Sequence, residues 1–296
     1  MNQYARRCLL ASGHPICPFL AILCAVFVTM ATFHPLVSGC SLLCAVLLYG
    51  LLTNVRQAAK RASFSLAAAL LFGLVNFLLS HRGMTVLFTI GERPFTLESA
   101  VAGMCTGLSF CAAICWFSSF HLLMTSDRII ALSGGLLPTF SLLFCMVLRF
   151  VPLFHERAEQ IVRAQGAAFP KARQSKLMRS AGTFSILTTW ALENGIDTAD
   201  SMHARGYGTA RRTNSGAKRF RRKDAVFTAT LLLFAVCAFA ALFTGKLSVW
   251  FYPAFYAFPA DAFVLSGLIV SIFLLALAPL LTAWEVIRWR FLRSKM

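Results

Sequence analysis

Seven apolar runs alternate with shorter polar segments along the chain. They cover residues 18–33, 36–52, 64–80, 97–124, 138–154, 225–243 and 262–284. A helix needs about 20 apolar residues to cross about 30 Å of hydrocarbon, and most of these runs are close to that length. The first two runs are shorter and meet at His34-Pro35, which predicts a helical hairpin. The pattern as a whole predicts an all-α polytopic membrane protein.

The segment 155–223 follows a different pattern, in which apolar positions recur within a polar sequence. Between residues 175 and 206 they recur mostly every three or four residues, which predicts one long amphipathic helix. These apolar positions are Leu177, Ala181, Phe184, Leu187, Ala191 and Leu192. Residues 155–168 are predicted to form a second helical stretch, closed by Phe169-Pro170. Gly206 is expected to end the long helix as a glycine C-cap.

The composition agrees with a membrane protein. Hydrophobic residues make up 58% and charged residues 13% of the 296 residues, whereas about 25% of a soluble domain is charged. This composition excludes a soluble fold. It also excludes intrinsic disorder, because disordered chains have low hydrophobicity. Lys and Arg outnumber Asp and Glu by 28 to 11, which gives a formal net charge of +17. In a membrane protein this excess indicates cytoplasmic loops and anionic lipids before it indicates nucleic acid.

The distribution of basic residues predicts the topology. Residues 155–223 hold 14 of the 28 Lys and Arg residues and are therefore predicted to be cytoplasmic. If the N-terminus is also cytoplasmic, four crossings return the chain to the inside near Arg128. A single crossing by residues 138–154 would then place the basic segment outside. We therefore expect that this run, which contains Arg149 and Pro152, lies at the cytoplasmic surface, giving about six transmembrane helices and two cytoplasmic termini.

The sequence contains no catalytic or metal-binding motif. There is no GxxxxGK[ST] loop for phosphate, no GxSxG nucleophile elbow and no HExxH zinc helix. The ten cysteines form no paired CxxC, and most lie in apolar runs as small hydrophobic residues. The six histidines lack metal-ligand spacing. No catalytic residue, metal or cofactor is predicted, and any ATP hydrolysis would occur in partner subunits.

The most informative segment is TADSMHARGYG, residues 198–208. On a helix Arg205 lies near Ser201 and Met202, so neither neighbouring position offers it a carboxylate. Its partner is therefore either outside the segment or solvent, where a cation at a helix C-terminus contributes about 0.3 to 1 kcal/mol. Arg149 also has two interpretations, an internal ion pair or an extended side chain that reaches lipid phosphates.

TADSMHARGYG, followed by a basic segment and another membrane span, closely resembles the transmembrane (T) component of energy-coupling factor (ECF) transporters, the cobalt-permease-like subunit of vitamin and metal uptake systems. Further similarities are Thr125-Ser126-Asp127-Arg128, Leu148-Arg149-Phe150-Val151-Pro152 and Arg163-Ala164-Gln165. The similar region extends from about residue 125 to 224. The resemblance implies membrane helices over 1–128 and 224–296, and cytoplasmic or interfacial coupling helices over 129–223.

In this family two cytoplasmic coupling helices, each ending near an Ala-Arg-Gly triplet, dock into two ATP-hydrolysing subunits, while a separate membrane S subunit binds the substrate. The second triplet corresponds to Ala204, Arg205 and Gly206. The first triplet is incomplete, because the chain lacks arginine at the corresponding position. The resemblance implies that Arg163 or Gln165 replaces this missing arginine. It also implies that the two docking sites are less symmetrical than is usual in the family.

Three hypotheses for the function follow from the sequence. The first is a scaffold in the plasma membrane that transmits ATP-driven motion from two ABC ATPase subunits to an S subunit for vitamin or metal-ion uptake. The alternative is a self-sufficient secondary carrier, which should place coupling charges inside its spans. The third is a membrane-anchored protein whose basic segment binds lipid or nucleic acid. The helical periodicity and Glu193, Asp197 and Asp200 favour a protein-facing surface, so no nucleic-acid partner is predicted.

Overall fold

The computed structural model describes residues 10, 13–79, 85–90, 93–168, 176–209, 220–244 and 262–294. Over these residues the chain is helical except for one short β-hairpin, which confirms the predicted all-α class. Its elements in chain order are α1 (Ile16–Ala31), α2 (Pro35–Leu52), α3 (Val55–Leu79), β1 (Val86–Ile90), β2 (Arg93–Thr96), α4 (Leu97–Leu123), α5 (Ser126–Leu136), α6 (Pro138–Ala168), α7 (Lys176–Ala204), α8 (Arg222–Phe243) and α9 (Ala262–Ser294). β1 and β2 are antiparallel.

The chain divides into two compact units. The bundle unit comprises Met1–Ile129 and Lys218–Met296, and the hairpin unit comprises Ile130–Ala217. Most of the apolar helices belong to the bundle unit, whereas the hairpin unit contains α6, α7 and most of α5. The placement of the hairpin unit in the cytoplasm stays a prediction.

Six helices of the described residues are long and apolar enough to cross a membrane. They are α2, α3, α4, α8, α6 over Thr139–Ala168 and α9 over Phe263–Trp289, while the apolar α1 is shorter, with 16 residues. The sequence also predicts six crossings, but that set includes the apolar run of α1 and excludes residues 138–154. Length and composition therefore show a multi-pass membrane protein.

The helix α6 corrects a boundary in the sequence interpretation. The change of polarity at His155 predicts separate helices over 138–154 and 155–168, but the structure has one helix of 31 residues, Pro138–Ala168. No glycine or capping residue stands at the change of polarity, so nothing local ends the helix there. Pro152 lies inside α6, where its missing N–H removes one backbone hydrogen bond without stopping the helix.

The core of the bundle unit surrounds α4, which packs against α1, α2 and α3. α9 packs against α2 and α8, and α1 packs against α8. Buried side chains in this core include Val28, Leu48, Trp116, Leu231 and Leu275. Because these five side chains come from five different helices, the core joins the N-terminal and C-terminal membrane segments into one bundle.

The predicted turn at His34-Pro35 is confirmed. The His34 ring accepts a hydrogen bond from Leu36 N at 3.2 Å, and Pro35 occupies the first position of α2, where a missing N–H leaves no backbone hydrogen bond unmade. The two helices that meet at this turn nevertheless pack on α4 more than on each other. The turn therefore depends on residues next to it in the sequence, whereas the packing partners of α1 and α2 depend on the rest of the bundle unit.

Arg128, part of the Thr125–Arg128 motif, joins the N-terminal segment to the end of α4. Its Nη1 donates to Leu10 O at 2.9 Å and to Leu123 O at 2.8 Å, and its Nη2 donates to Gly13 O at 3.3 Å. Burial lowers the pKa of Arg128, but a guanidinium titrates so far above neutral pH that it stays charged. Arg128 thus has a structural role within the bundle unit.

A buried polar network links three helices of the core. The Trp116 indole Nε1 donates to Ser41 Oγ at 3.0 Å, and Ser41 Oγ lies 2.6 Å from Thr29 Oγ1. All three side chains are buried. Because the indole N–H has no water available in an apolar core, its hydrogen bond to Ser41 stabilises the folded chain and fixes the contact between α2 and α4.

The substitution Ser41→Ala is expected to destabilise the chain by about 1 to 3 kcal/mol, because it removes the acceptor of the buried Trp116 indole N–H. The measurement is thermal unfolding of the purified chain in detergent. The matched control is Ser118→Ala on the same helix as Trp116, since the half-buried Ser118 donates its hydroxyl hydrogen only to Ile114 O. Equal melting temperatures for the two variants would contradict this role for Ser41.

Candidate functional site

The helices α6 and α7 pack as an antiparallel pair. Near the C-terminal end of α6, Gln165 Oε1 accepts a hydrogen bond from the Thr183 hydroxyl at 3.2 Å. Further along, the Phe154 ring meets the edge of the Trp190 ring with 5.7 Å between centroids, and Arg157 lies 5.2 Å from the same Trp190 ring. Residue 165 of α6 thus contacts residue 183 of α7, and residue 154 contacts residue 190, so the two helices run in opposite directions. The C-terminal ends of the two helices consequently lie at opposite ends of the pair.

The long amphipathic helix predicted over residues 175–206 is confirmed as α7, and it ends as the glycine signal predicts. Gly206 N donates to His203 O at 2.9 Å, and Tyr207 N donates to Met202 O at 3.0 Å. Gly206 has a φ of +79°. These are the two hydrogen bonds and the left-handed residue of a Schellman motif. The motif ends the helix at Ala204 and holds the following Arg205 at a fixed place.

A cleft of about 350 Å³ lies between α6 and α7 at this end of the pair. It is lined by Met146, Arg149, Phe150, Leu153, Asn194, Asp197, Thr198, Ser201, Met202 and Arg205. Its wall is therefore partly apolar, and its polar part contains two guanidinium groups, one carboxylate and several hydroxyl or amide groups. Such a set is suited to binding an anion.

Arg149 and Arg205 are the two cations of this cleft, and both are exposed. Neither guanidinium makes a hydrogen bond or an ion pair with any residue that the structure describes. An internal ion pair, one of the two interpretations of Arg149 from the sequence, is therefore absent from the described part of the chain. Both groups remain available to a partner outside the chain.

Arg163 and Gln165, the residues of the first predicted docking site, lie elsewhere in the hairpin unit. Arg163 Nη2 contacts Glu159 Oε2 at 3.0 Å in an exposed ion pair, and the half-buried Gln165 already contacts Thr183. Thr183 and Arg205 lie 22 residues apart in sequence, which is about 33 Å along a helix. The structure therefore brings neither Arg163 nor Gln165 to the cleft of Arg205.

The exposed Ala204 and the half-buried Gly206 flank Arg205 directly. Sequence reasoning missed that Arg149 shares the cleft of Arg205, because the two residues are far apart in sequence. The run Leu148–Pro152, singled out by its resemblance to the family, was the one signal that marked Arg149 as more than an apolar-helix residue. Only the antiparallel packing of α6 on α7 reveals that Arg149 and Arg205 line the same cleft.

Acidic residues lie beside the cleft on α7. Glu193, Asp197 and Asp200 are spaced by four and three residues, so they lie along one side of the helix, and all three are exposed. Asp197 also lines the cleft. The hairpin unit thus presents an ordered pattern of both charge signs rather than a uniformly basic surface.

The described residues contain no group of three His, Cys, Asp or Glu side chains placed to hold a metal ion. No protein-family model matches the chain, and no curated protein is similar to it at a significant level. The relation to the T components of ECF transporters therefore stays a hypothesis that depends on the residues quoted for it.

Proposed function

We propose that the chain is the energy-coupling membrane subunit of an ECF-type importer. In this role the hairpin unit binds two ABC ATPase subunits, and the bundle unit, surrounded by membrane lipids, holds a separate substrate-binding S subunit that takes up a vitamin or a metal ion. The observation that carries the proposal is the end of α7, where a Schellman motif presents an exposed Arg205 that has no partner among the described residues.

The geometry of the hairpin unit supports a docking role. α6 and α7 are helices of 31 and 29 residues, and long packed helices transmit displacement because their backbones resist bending. Their antiparallel packing separates the two C-terminal ends by about 33 Å. Two partner subunits can therefore bind one hairpin unit, one at each end.

The two ends differ in chemistry. At the end of α7, Arg205 is free to contact a partner, whereas at the end of α6 Arg163 contacts Glu159 and Gln165 contacts Thr183. A partner at the α6 end competes with these contacts for the same side chains. We therefore expect unequal affinities at the two ends, with the stronger contact at Arg205.

A self-sufficient secondary carrier is less well supported. Such a carrier is expected to hold ionisable groups near the middle of its spans. Among the described residues, the buried acidic side chains are Glu98 and Asp224, and both lie in the first turn of a helix. Glu98 accepts a hydrogen bond from Thr85 N at 3.0 Å, and Asp224 accepts one from Arg221 N at 3.1 Å. The Asp224 contact is a capping contact at the start of α8, and the Glu98 contact ties the start of α4 to the residue before β1.

Co-purification tests the proposed function. The chain is co-expressed with ABC ATPase subunits from the same genome, and the detergent-solubilised complex is isolated and its subunits identified. We expect a stable complex that hydrolyses ATP and includes an S subunit, whereas the chain alone should not bind a vitamin or metal ion tightly. Micromolar binding of a transported compound by the purified chain alone, or its uptake into vesicles without ATPase subunits, would instead support the secondary carrier.

The membrane topology is a separate prediction. We expect six crossings, with both termini and the hairpin unit cytoplasmic and without a crossing by α6, because a crossing would place the most basic segment outside. Single cysteines at Lys176 and Arg212, in a cysteine-free chain, are expected to react only with reagents that enter the cell. A cysteine at Thr85, between α3 and α4, provides the control for the outer side. Labelling of the Lys176 or Arg212 positions by an impermeant reagent would contradict the topology.

A further inference from the structure

Arg149 of α6 and Arg205 at the end of α7 differ from the remaining arginines of α6. Arg157 donates to Gln160 Oε1 at 2.9 Å and lies over the Trp190 ring, and Arg163 contacts Glu159. Arg149 and Arg205 instead come from different helices, line one cleft and have no partner in the described part of the chain. Two guanidinium groups in one cleft repel each other unless an anion lies between them.

The wall of the cleft strengthens the binding of an anion. Met146, Phe150, Leu153 and Met202 form its apolar part. A partner that covers the cleft would exclude water from this wall, and Coulomb attraction increases as the local dielectric constant falls. Ser201 and Asn194 add a hydroxyl and an amide donor, whereas the Thr198 hydroxyl already donates to Asn194 O at 2.6 Å. A guanidinium also binds the two oxygens of a carboxylate in a bidentate geometry that lysine cannot copy.

The charges define the kind of anion. Two arginines and Asp197 leave the cleft with one net positive charge, which matches one carboxylate. The row of Glu193, Asp197 and Asp200 beside it would be repelled by the negative surface of an anionic membrane. A protein surface that carries one acidic side chain with basic residues around it matches both parts of this pattern.

We propose that the cleft receives a single carboxylate side chain of an ATPase subunit, held jointly by Arg149 and Arg205, while Glu193 and Asp200 beside the cleft contact basic residues of that subunit. This inference rests on the proposed function and adds a second arginine to its binding site. It makes Arg149 a binding residue rather than a lipid anchor. It also assigns a complementary charge pattern to the partner.

The test compares ATPase-subunit binding to the full chain in nanodiscs for Arg149→Ala, Arg205→Ala and the double variant. Arg149→Ala is expected to weaken binding by about ten- to a hundredfold, because one charge-assisted pair is lost while Arg205 remains. The effects of Arg149→Ala and Arg205→Ala should not simply multiply in the double variant, because both arginines act on one carboxylate. Arg179→Ala, an exposed arginine of α7 outside the cleft, is the control and should bind like the wild-type chain.

Two further measurements distinguish a carboxylate-binding Arg149 from a folding defect and from a lipid anchor. Arg149→Lys keeps the charge and the apolar stem, so it should fold normally and still bind at least about threefold more weakly than the wild-type chain, because the bidentate geometry is lost. Retention of phosphatidylglycerol by the chain, measured by native mass spectrometry in nanodiscs with and without that lipid, should be the same for Arg149→Ala and the wild-type chain. Wild-type binding by Arg149→Lys, or loss of phosphatidylglycerol in Arg149→Ala with normal ATPase binding, would overturn the proposal.

The remaining outcomes separate this inference from the proposed function. If Arg205→Ala weakens binding and Arg149→Ala does not, the coupling function stands and the shared carboxylate is wrong. If only Arg149→Ala weakens binding, joint recognition is wrong as well. If the effects of the two substitutions multiply in the double variant, the arginines bind separate groups and the proposal fails. If neither substitution changes binding, or if no ATPase subunit binds the wild-type chain, both the inference and the proposed function fail.

Discussion

Replacing Arg205 with alanine is expected to weaken the binding of an ATPase subunit by about thirtyfold to several thousandfold. The side chain is exposed at the end of α7 and lines the cleft. If it enters a desolvated acidic groove, its removal takes a charge-assisted pair from a buried carboxylate of the partner, which costs about 2 to 5 kcal/mol. If it is only a solvated cation at a helix end, the same change costs less than about 1 kcal/mol.

The measurement is ATPase-subunit retention and transport at equal membrane expression. Arg205→Lys should restore little, because lysine lacks the bidentate guanidinium geometry. Arg163→Ala and Gln165→Ala should each have a smaller effect than Arg205→Ala, since both side chains already have partners within the hairpin unit. Full retention and transport by Arg205→Ala would reject the coupling role of this residue.

Replacing Gly107 with leucine is expected to prevent the normal packing of α3 on α4. A Cβ atom at Gly107 would lie 2.7 Å from Ala69 O and 3.0 Å from Phe72 Cβ, and one at Gly103 would lie 2.5 Å from Asn76 Cβ. Gly103 and Gly107 form a small-xxx-small pattern that lets the two backbones approach closely. Since the nearest atom to Gly107 is a backbone oxygen, the helices themselves must separate. We expect a loss of more than about 3 kcal/mol.

The measurement is the yield of monodisperse protein and its melting temperature in detergent. Gly39→Leu on α2 is the matched control, because no atom lies within 4 Å of a Cβ built at Gly39. Gly107→Ala should have an intermediate effect, since one methyl group requires a smaller displacement. A Gly107→Leu chain with the yield and melting temperature of Gly39→Leu would show that this close approach is not needed for the fold.

The short β-hairpin illustrates a limit of sequence analysis. Residues 81–96 are a nearly neutral connection between two apolar runs, and the apolar and polar pattern predicts no strand there. The structure pairs β1 with β2, with Val86 opposite Thr96. Two strands this short give a weak periodic signal and need contacts beyond their own residues for stability. Thr85, just before β1, supplies one such contact, because its N–H and its carbonyl contact Glu98 and Leu97 at the start of α4.

The sequence by itself determined the features that depend on neighbouring residues. The apolar runs predicted the membrane helices, helical spacing predicted α7, and Gly206 predicted its end, because hydrophobic periodicity and caps act within a few residues of the chain. The continuity of α6 through His155 was missed, since a change of polarity is not a signal that ends a helix.

The tertiary structure alone decided which distant residues meet. It placed α4 at the centre of the bundle unit and joined Trp116 to Ser41. In the hairpin unit it directed Gln165 to Thr183 and brought Arg149 beside Arg205. These outcomes depend on how the surfaces of two helices fit together, and the side chains that fit are separated by many residues. No pattern within a single helix specifies its partner, so the sequence identified Arg205 but not the cleft in which it acts.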